Sequence, residues 1–125
     1  MIMHPRTAAA VSWWIDALSK SANNEAVTRF ANVLTSALEY NAAKRGAFWS
    51  SGHAPILLRC SRLPLGLLLA VAKESAMPLR STAWPQDTLM LIHVDYVDVL
   101  IETPPMHRVW TRDAMKDQDA IKLLA

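Results

Sequence analysis

One thiol, Cys60, and four imidazoles, His4, His53, His93 and His107, set most of the side-chain chemistry open to this chain. A thiol nucleophile needs a base within hydrogen-bond reach of the sulfur and an orienting group behind that base. Cys60 instead ends an apolar run, Ile56-Leu57-Leu58-Arg59-Cys60, where a thiol behaves as a small core hydrophobe with an unactivated sulfur. His93 and Asp95 are two residues apart and in an unbroken strand would share a face, which makes half of a metal site. His4, His53 and His107 have no ligand spacing that would complete it, so no metal is expected. With glycine only at positions 46, 52 and 66, neither a phosphate-cradling loop nor a dinucleotide fingerprint can be written, and no cofactor is expected. A fold could gather Asp87, Asp95, Asp98 and Glu102, but nothing in their spacing marks a catalytic carboxylate pair. The expectation is a non-catalytic chain that works by binding, with a small hydrolase using Cys60 or His93 as the enzymatic alternative.

Composition narrows what could be bound. The formal net charge is +2, and no run of Lys or Arg is longer than Lys44-Arg45, which gives nucleic acid little electrostatic footing. A lone cysteine allows neither an intramolecular disulfide nor a thiolate zinc site and fits a reducing compartment, cytoplasm or nucleus. The most apolar run, Leu63 to Ala72, is far shorter than the roughly 20 residues that span a bilayer, so no membrane association is expected, and there is no signal-peptide pattern. At 125 residues the chain suits one domain over positions 1–125, with a core from about 7 to 112 and a tail or short helix over 113–125.

Helical patterns fill the first half. Ala8, Val11, Trp14, Ile15 and Leu18 recur at three and four residues between Pro5 and Lys20, and Val27, Phe30, Ala31, Leu34, Ala37 and Leu38 make a second stripe to about Ala43. Asn23 offers an N-cap for the second helix, and Lys44-Arg45-Gly46 a cationic end with glycine beyond it. The short link between them predicts an antiparallel hairpin. The loop from Ala47 to Pro55 carries Phe48, Trp49 and His53, aromatics that either fold back over the core or serve a partner. Ile56 to Cys60 reads as a strand, with a buried helix turn as the alternative because the run does not alternate. Pro64 suits the first turn of a helix running to Met77, apolar nearly all round and therefore expected to be the most buried, with Gly66 permitting a close approach and Pro78 stopping it. Leu79 to Trp84 reads as a further helical turn.

Trp84 to Thr111 is the one long β-rich run. Alternation places Met90, Ile92 and Val94 on one face with Leu89, Leu91 and His93 on the other; beyond Asp95-Tyr96, Val97, Val99 and Ile101 oppose an outward Asp98, Leu100 and Glu102. Thr103 to Met106 is a turn, His107 to Thr111 a returning strand, and Asp113 to Leu124 a last short helix. Trp84 and Trp110 bracket the run and are expected to pack against the sheet. The fold class is α+β, a helical hairpin and further helices on a small, mainly antiparallel sheet.

The order of these elements over about residues 7 to 112 resembles the BTG/Tob antiproliferative domain. Phe48-Trp49 stands where that family's first signature has His-Trp, and Arg59-Cys60 where it ends in Arg-Cys. Ala72-Lys73-Glu74-Ser75 is similar to its third helix, and Pro85-Gln86-Asp87 before Leu89 to Ile101 is similar to the second signature, a strand ending Trp-Ile-Asp-Pro. Where the family has a Lys-Gly-Ser-Gly turn, this chain has Ala54-Pro55-Ile56-Leu57-Leu58. The signature Trp falls on Leu91 and its Asp on His93, or, with two residues inserted, on His93 and Asp95. The resemblance implies a protein-interaction module that binds the nuclease subunit of a cytoplasmic mRNA deadenylase complex and acts in mRNA decay or translational repression. Its partner-binding residues would be Trp49, Leu91, His93 and Asp95. The alternative is a domain that self-associates, or binds single-stranded RNA, through the sheet region.

Overall fold

A computed structural model describes residues 4–46, 49, 54–79 and 83–112. Helix α1 (Pro5–Ser19) begins with His4 as N-cap, its Nδ1 accepting from the Arg6 amide at 3.1 Å, and with proline at the first helical position, where its missing N–H costs nothing. Asn23 caps α2 (Asn24–Arg45) by accepting from the Glu25 amide at 2.8 Å, and Gly46, at φ +60°, ends it. The predicted hairpin is present, and Glu39 ties its open end by accepting from the His4 amide at 3.0 Å.

Strands β1 (Ile56–Cys60), β2 (Pro64–Leu65), β3 (Thr88–Ile92), β4 (Tyr96–Ile101) and β5 (His107–Thr111) form one sheet in the order β2-β1-β3-β4-β5, every pair antiparallel. The fold is therefore α+β, with the helices on one side. Helix α1 packs on β4 and β5, α3 (Gly66–Glu74) on β1 and β2, and α2 joins α1 to α3. Between the layers lies a continuous core that includes Trp14, Leu18, Phe30, Leu34, Leu58, Met90, Val97 and Val99. A fully buried side chain of this size stabilises the fold by about 1.5–3 kcal/mol. Trp84 stands edge-on to Phe30 at 5.6 Å, and its indole donates to the Pro78 carbonyl at 2.8 Å. Trp110, half-buried, meets His4 edge-on at 5.9 Å.

Several expectations need correction. Pro64 is not in a helix: with Leu65 it pairs with Cys60 and Arg59, because the chain turns back at once through Ser61, whose amide donates to the Leu63 carbonyl at 3.0 Å. Gly66 then starts α3 at φ +57°. An added Cβ there would meet nothing within 4 Å, so its role is the left-handed junction and not a close approach. Helix α3 buries one face, Leu68, Val71 and Ala72, less of itself than α1 does, and it stops at Glu74, before Pro78 is reached. Its end is a Schellman motif, in which Met77 donates to the Ala72 carbonyl at 2.9 Å and Ala76 to the Lys73 carbonyl at 3.2 Å. The helical turn expected over 79–84 lies partly, and the helix expected from Asp113 wholly, outside the described residues. No described helix is long and apolar enough to cross a membrane.

Candidate functional site: an open leucine face and an aromatic-basic cluster

Because helices cover one side of the sheet only, side chains pointing the other way from β1, β3 and β4 meet solvent. An antiparallel sheet with one wet face usually alternates apolar inward with polar outward. Here much of the outward set is leucine. Register aligns two rows across the strands: Leu65, Arg59, Leu89 and Leu100 from β2 to β4, and Leu57, Leu91, Asp98 and Arg108 from β1 to β5. Leu57 is 46% exposed and Leu65 39%. The first row, with Leu57 and Glu102, lines a shallow groove of about 350 Å³. At the far end Asp98 accepts from the Arg108 guanidinium through both carboxylate oxygens, and Arg108 lies over the Tyr96 ring at 4.7 Å.

Alternation fails at His93. Strand β3 ends at Ile92, and a turn closed by the His93 amide on the Tyr96 carbonyl at 2.8 Å swings the imidazole inward. His93 is 3% exposed, buried like Ile92 instead of lying out with Leu89 and Leu91, and it stacks on Tyr96 with ring centres 4.8 Å apart and planes within 7°. Trp49, 6% exposed, lies 6.4 Å from His93. Of the two roles open to the loop aromatics, Trp49 takes the inward one, while Phe48 and His53 fall outside the described residues. Two guanidiniums sit over the Trp49 ring, Arg6 at 4.6 Å and Arg45 at 5.4 Å. Asp95 pairs with Arg112 at 3.4 Å at the solvent edge.

Trp49, His93 and Asp95 thus come together at the junction of α1, α2 and the β3–β4 turn, whereas Leu91 belongs to the leucine face. Trp49 and His93 are buried, at 6% and 3% exposure, whereas Leu91 and Asp95 are half-buried and reach the surface. Arg6, Arg45, Tyr96 and Arg112, and the leucines at 57, 65, 89 and 100 as a set, were not anticipated from the sequence as parts of a site. Their signal was present in Ile56-Leu57-Leu58, whose lack of alternation means a strand apolar on both faces.

No family model matches the chain, and no curated protein is significantly similar to it.

The thiol offers little reactivity. Cys60 donates to the Pro85 carbonyl at 3.3 Å, and burial pushes its pKa up to about 11, so it is neutral at physiological pH. Among the described residues no three His, Cys, Asp or Glu side chains gather as metal ligands would.

Proposed function

We propose that this chain is a non-catalytic protein-interaction module whose open sheet face receives a partner protein. One observation carries the reading: five leucines, Leu57, Leu65, Leu89, Leu91 and Leu100, occupy aligned positions on a sheet face that no helix covers. The leucines, interrupted in their first row by Arg59 and bounded toward β4 and β5 by Glu102, Asp98 and Arg108, make a largely apolar patch with charge at one border, as protein interfaces have. Leucine offers no flat platform for stacking a base, which favours protein over single-stranded RNA as the occupant.

The resemblance to BTG/Tob domains names the partner we propose, the nuclease subunit of a cytoplasmic mRNA deadenylase, with a role in mRNA decay or translational repression. The test is titration calorimetry of the full chain against that subunit. Leu91→Arg, which changes an outward side chain and spares the core, should weaken binding by about ten- to a hundredfold, the worth of burying one leucine. If wild type does not bind the subunit, the deadenylase assignment is wrong. If it binds and Leu91→Arg binds equally well, the face is wrong. The same leucines also suit a second copy of the chain, and sedimentation of wild type beside Leu91→Arg separates that case, since only self-association would make the molecular mass fall in the variant.

A further inference from the structure

Four buried side-chain nitrogens among the described residues lack a hydrogen-bond partner, and three of them, Arg6 Nε, Trp49 Nε1 and His93 Nδ1, belong to the one cluster where α1, α2 and the β3–β4 turn meet. Arg6 is the outlier in that group. Only 9% exposed, it has no carboxylate of the described residues in ion-pairing contact; its guanidinium rests on Trp49, and His4 Nε2, 3.3 Å away, carries the ring proton while Nδ1 caps the Arg6 amide and so does not accept from it. A guanidinium taken out of water is costly unless an anion meets it. Burial lowers the pKa of Arg6, with Glu39 and Asp95 opposing and Arg112 adding to the fall. Arg112, Glu39 and Asp95 are thus the charged groups whose fields reach Arg6. Glu39 already accepts the His4 amide, and Asp95 already pairs with Arg112.

The local charge is not closed. Three guanidiniums, Arg6 and Arg45 over the Trp49 ring and Arg112 beside Asp95, share the junction with two carboxylates, Glu39 and Asp95; Arg45 also donates to the Ala54 carbonyl at 2.8 Å, and burial first and Arg6 second hold His4 toward its neutral form. One positive charge is left over, together with unused N–H donors on Arg6 and Trp49. The solvent-facing members of the junction are Asp95 and Arg112, whose side chains are 47% and 43% exposed. We propose that this junction is a binding site for a singly charged oxyanion, a carboxylate or a phosphate monoanion, held by Arg6 and the Trp49 indole on the inside and by Arg112 at the mouth. The site is separate from the leucine face and its test does not depend on what that face binds.

The experiment is nitrogen–proton correlation spectroscopy of the full chain, following the Trp49 indole N–H and the Arg6 Nε–H, with Trp49→Phe to assign the indole signal. Acetate and slightly acidic inorganic phosphate are titrated in separately, against chloride at matched ionic strength. Both signals should move saturably with acetate or phosphate and not with chloride. The arm that saturates at lower concentration tells a carboxylate-bearing ligand from a phosphate-bearing one. Arg6→Met should weaken the effect by about tenfold or more, the loss expected for a charged hydrogen-bond donor. Because Arg6 is buried and its replacement could disturb the fold, Arg112→Gln at the half-exposed mouth provides a second measure and should also weaken binding. Signals that respond to acetate and phosphate only as they do to chloride would mean that water satisfies these donors, and would overturn the proposal. Saturable binding left unchanged by Arg112→Gln would overturn it as well.

Discussion

Replacing Ala76 with glycine should make this protein more stable, although glycine is ordinarily the poorer residue. Ala76 has φ +57° and occupies the position after the C-cap of α3, which the Schellman hydrogen bonds from Met77 to Ala72 and from Ala76 to Lys73 hold in the left-handed region. An L-residue there costs about 1–2 kcal/mol because Cβ crowds the following carbonyl. Ala76 is solvent-exposed, so losing its methyl sacrifices no packing. Against the relief stands the greater freedom of glycine in the unfolded chain, about 0.5–1 kcal/mol. The net expectation is a gain of about 0.5–1 kcal/mol, equivalent to roughly 2–4 °C in melting temperature for a chain of this size. Calorimetry and urea unfolding should agree, with an unchanged dependence on urea. Ala76→Val, which adds β-branching at the same φ, should move the other way. A glycine variant that melts at or below wild type would refute the claim that the hydrogen bonds, and not the residue, impose this conformation.

Two further outcomes follow from the titrating groups. Burial, then the Arg6 charge, lowers the His4 pKa below 6.5, so the unfolded chain binds a proton more readily than the folded one; stability should therefore fall as pH drops from about 6.5 toward the folded value. His4→Asn keeps a cap for α1 and should remove that component, seen as a flatter dependence of the urea midpoint on pH in the variant than in wild type. Cys60, with its pKa pushed up to about 11 from 9.0, should react with a disulfide reagent at least about a hundredfold more slowly than an exposed thiol at mildly alkaline pH, and at the ordinary rate once urea unfolds the chain. Fast labelling of the folded protein would contradict its burial.

What the sequence made legible was whatever depends on near neighbours. The stripes of α1 and α2, the Asn23 cap and the Gly46 terminus need only a few residues in register to be read. Strands β3 to β5 follow from alternation and the proline turn at 103–106. Reading failed where a contact distant in the chain decides the conformation. Pro64 looks like a helix start, and its pairing with Cys60 shows only once the Ser61 turn is known. His93 looks like the next outward residue of β3, and it turns inward because the β3–β4 hairpin closes at its own amide. Arg6 reads as an ordinary exposed residue of a first helical turn, and becomes buried because α2 and Trp49 arrive from far along the chain.

The contrast within the sheet is what gives the leucine face its meaning. Asp98 and Arg108 show that the outward side of these strands can carry an ion pair across β4 and β5, so nothing in the geometry of the sheet demands apolar residues there. Leu57 and Leu91 stand directly opposite one another in the same row, and Leu89 stands opposite Leu100 in the next. Such pairs add only about 0.2–1 kcal/mol each to pairing between strands. Leucines aligned on an uncovered sheet face, two of them exposed and three half-buried, also invite association, a hazard that an isolated domain would reduce by placing charge there. The core, with Leu58, Met90, Val97 and Val99 facing the helices, is complete without them. Their small contribution to folding and their cost in exposure are reconciled if the face is covered when the protein acts, which is why binding through this face is preferred to any chemistry at Cys60 or His93.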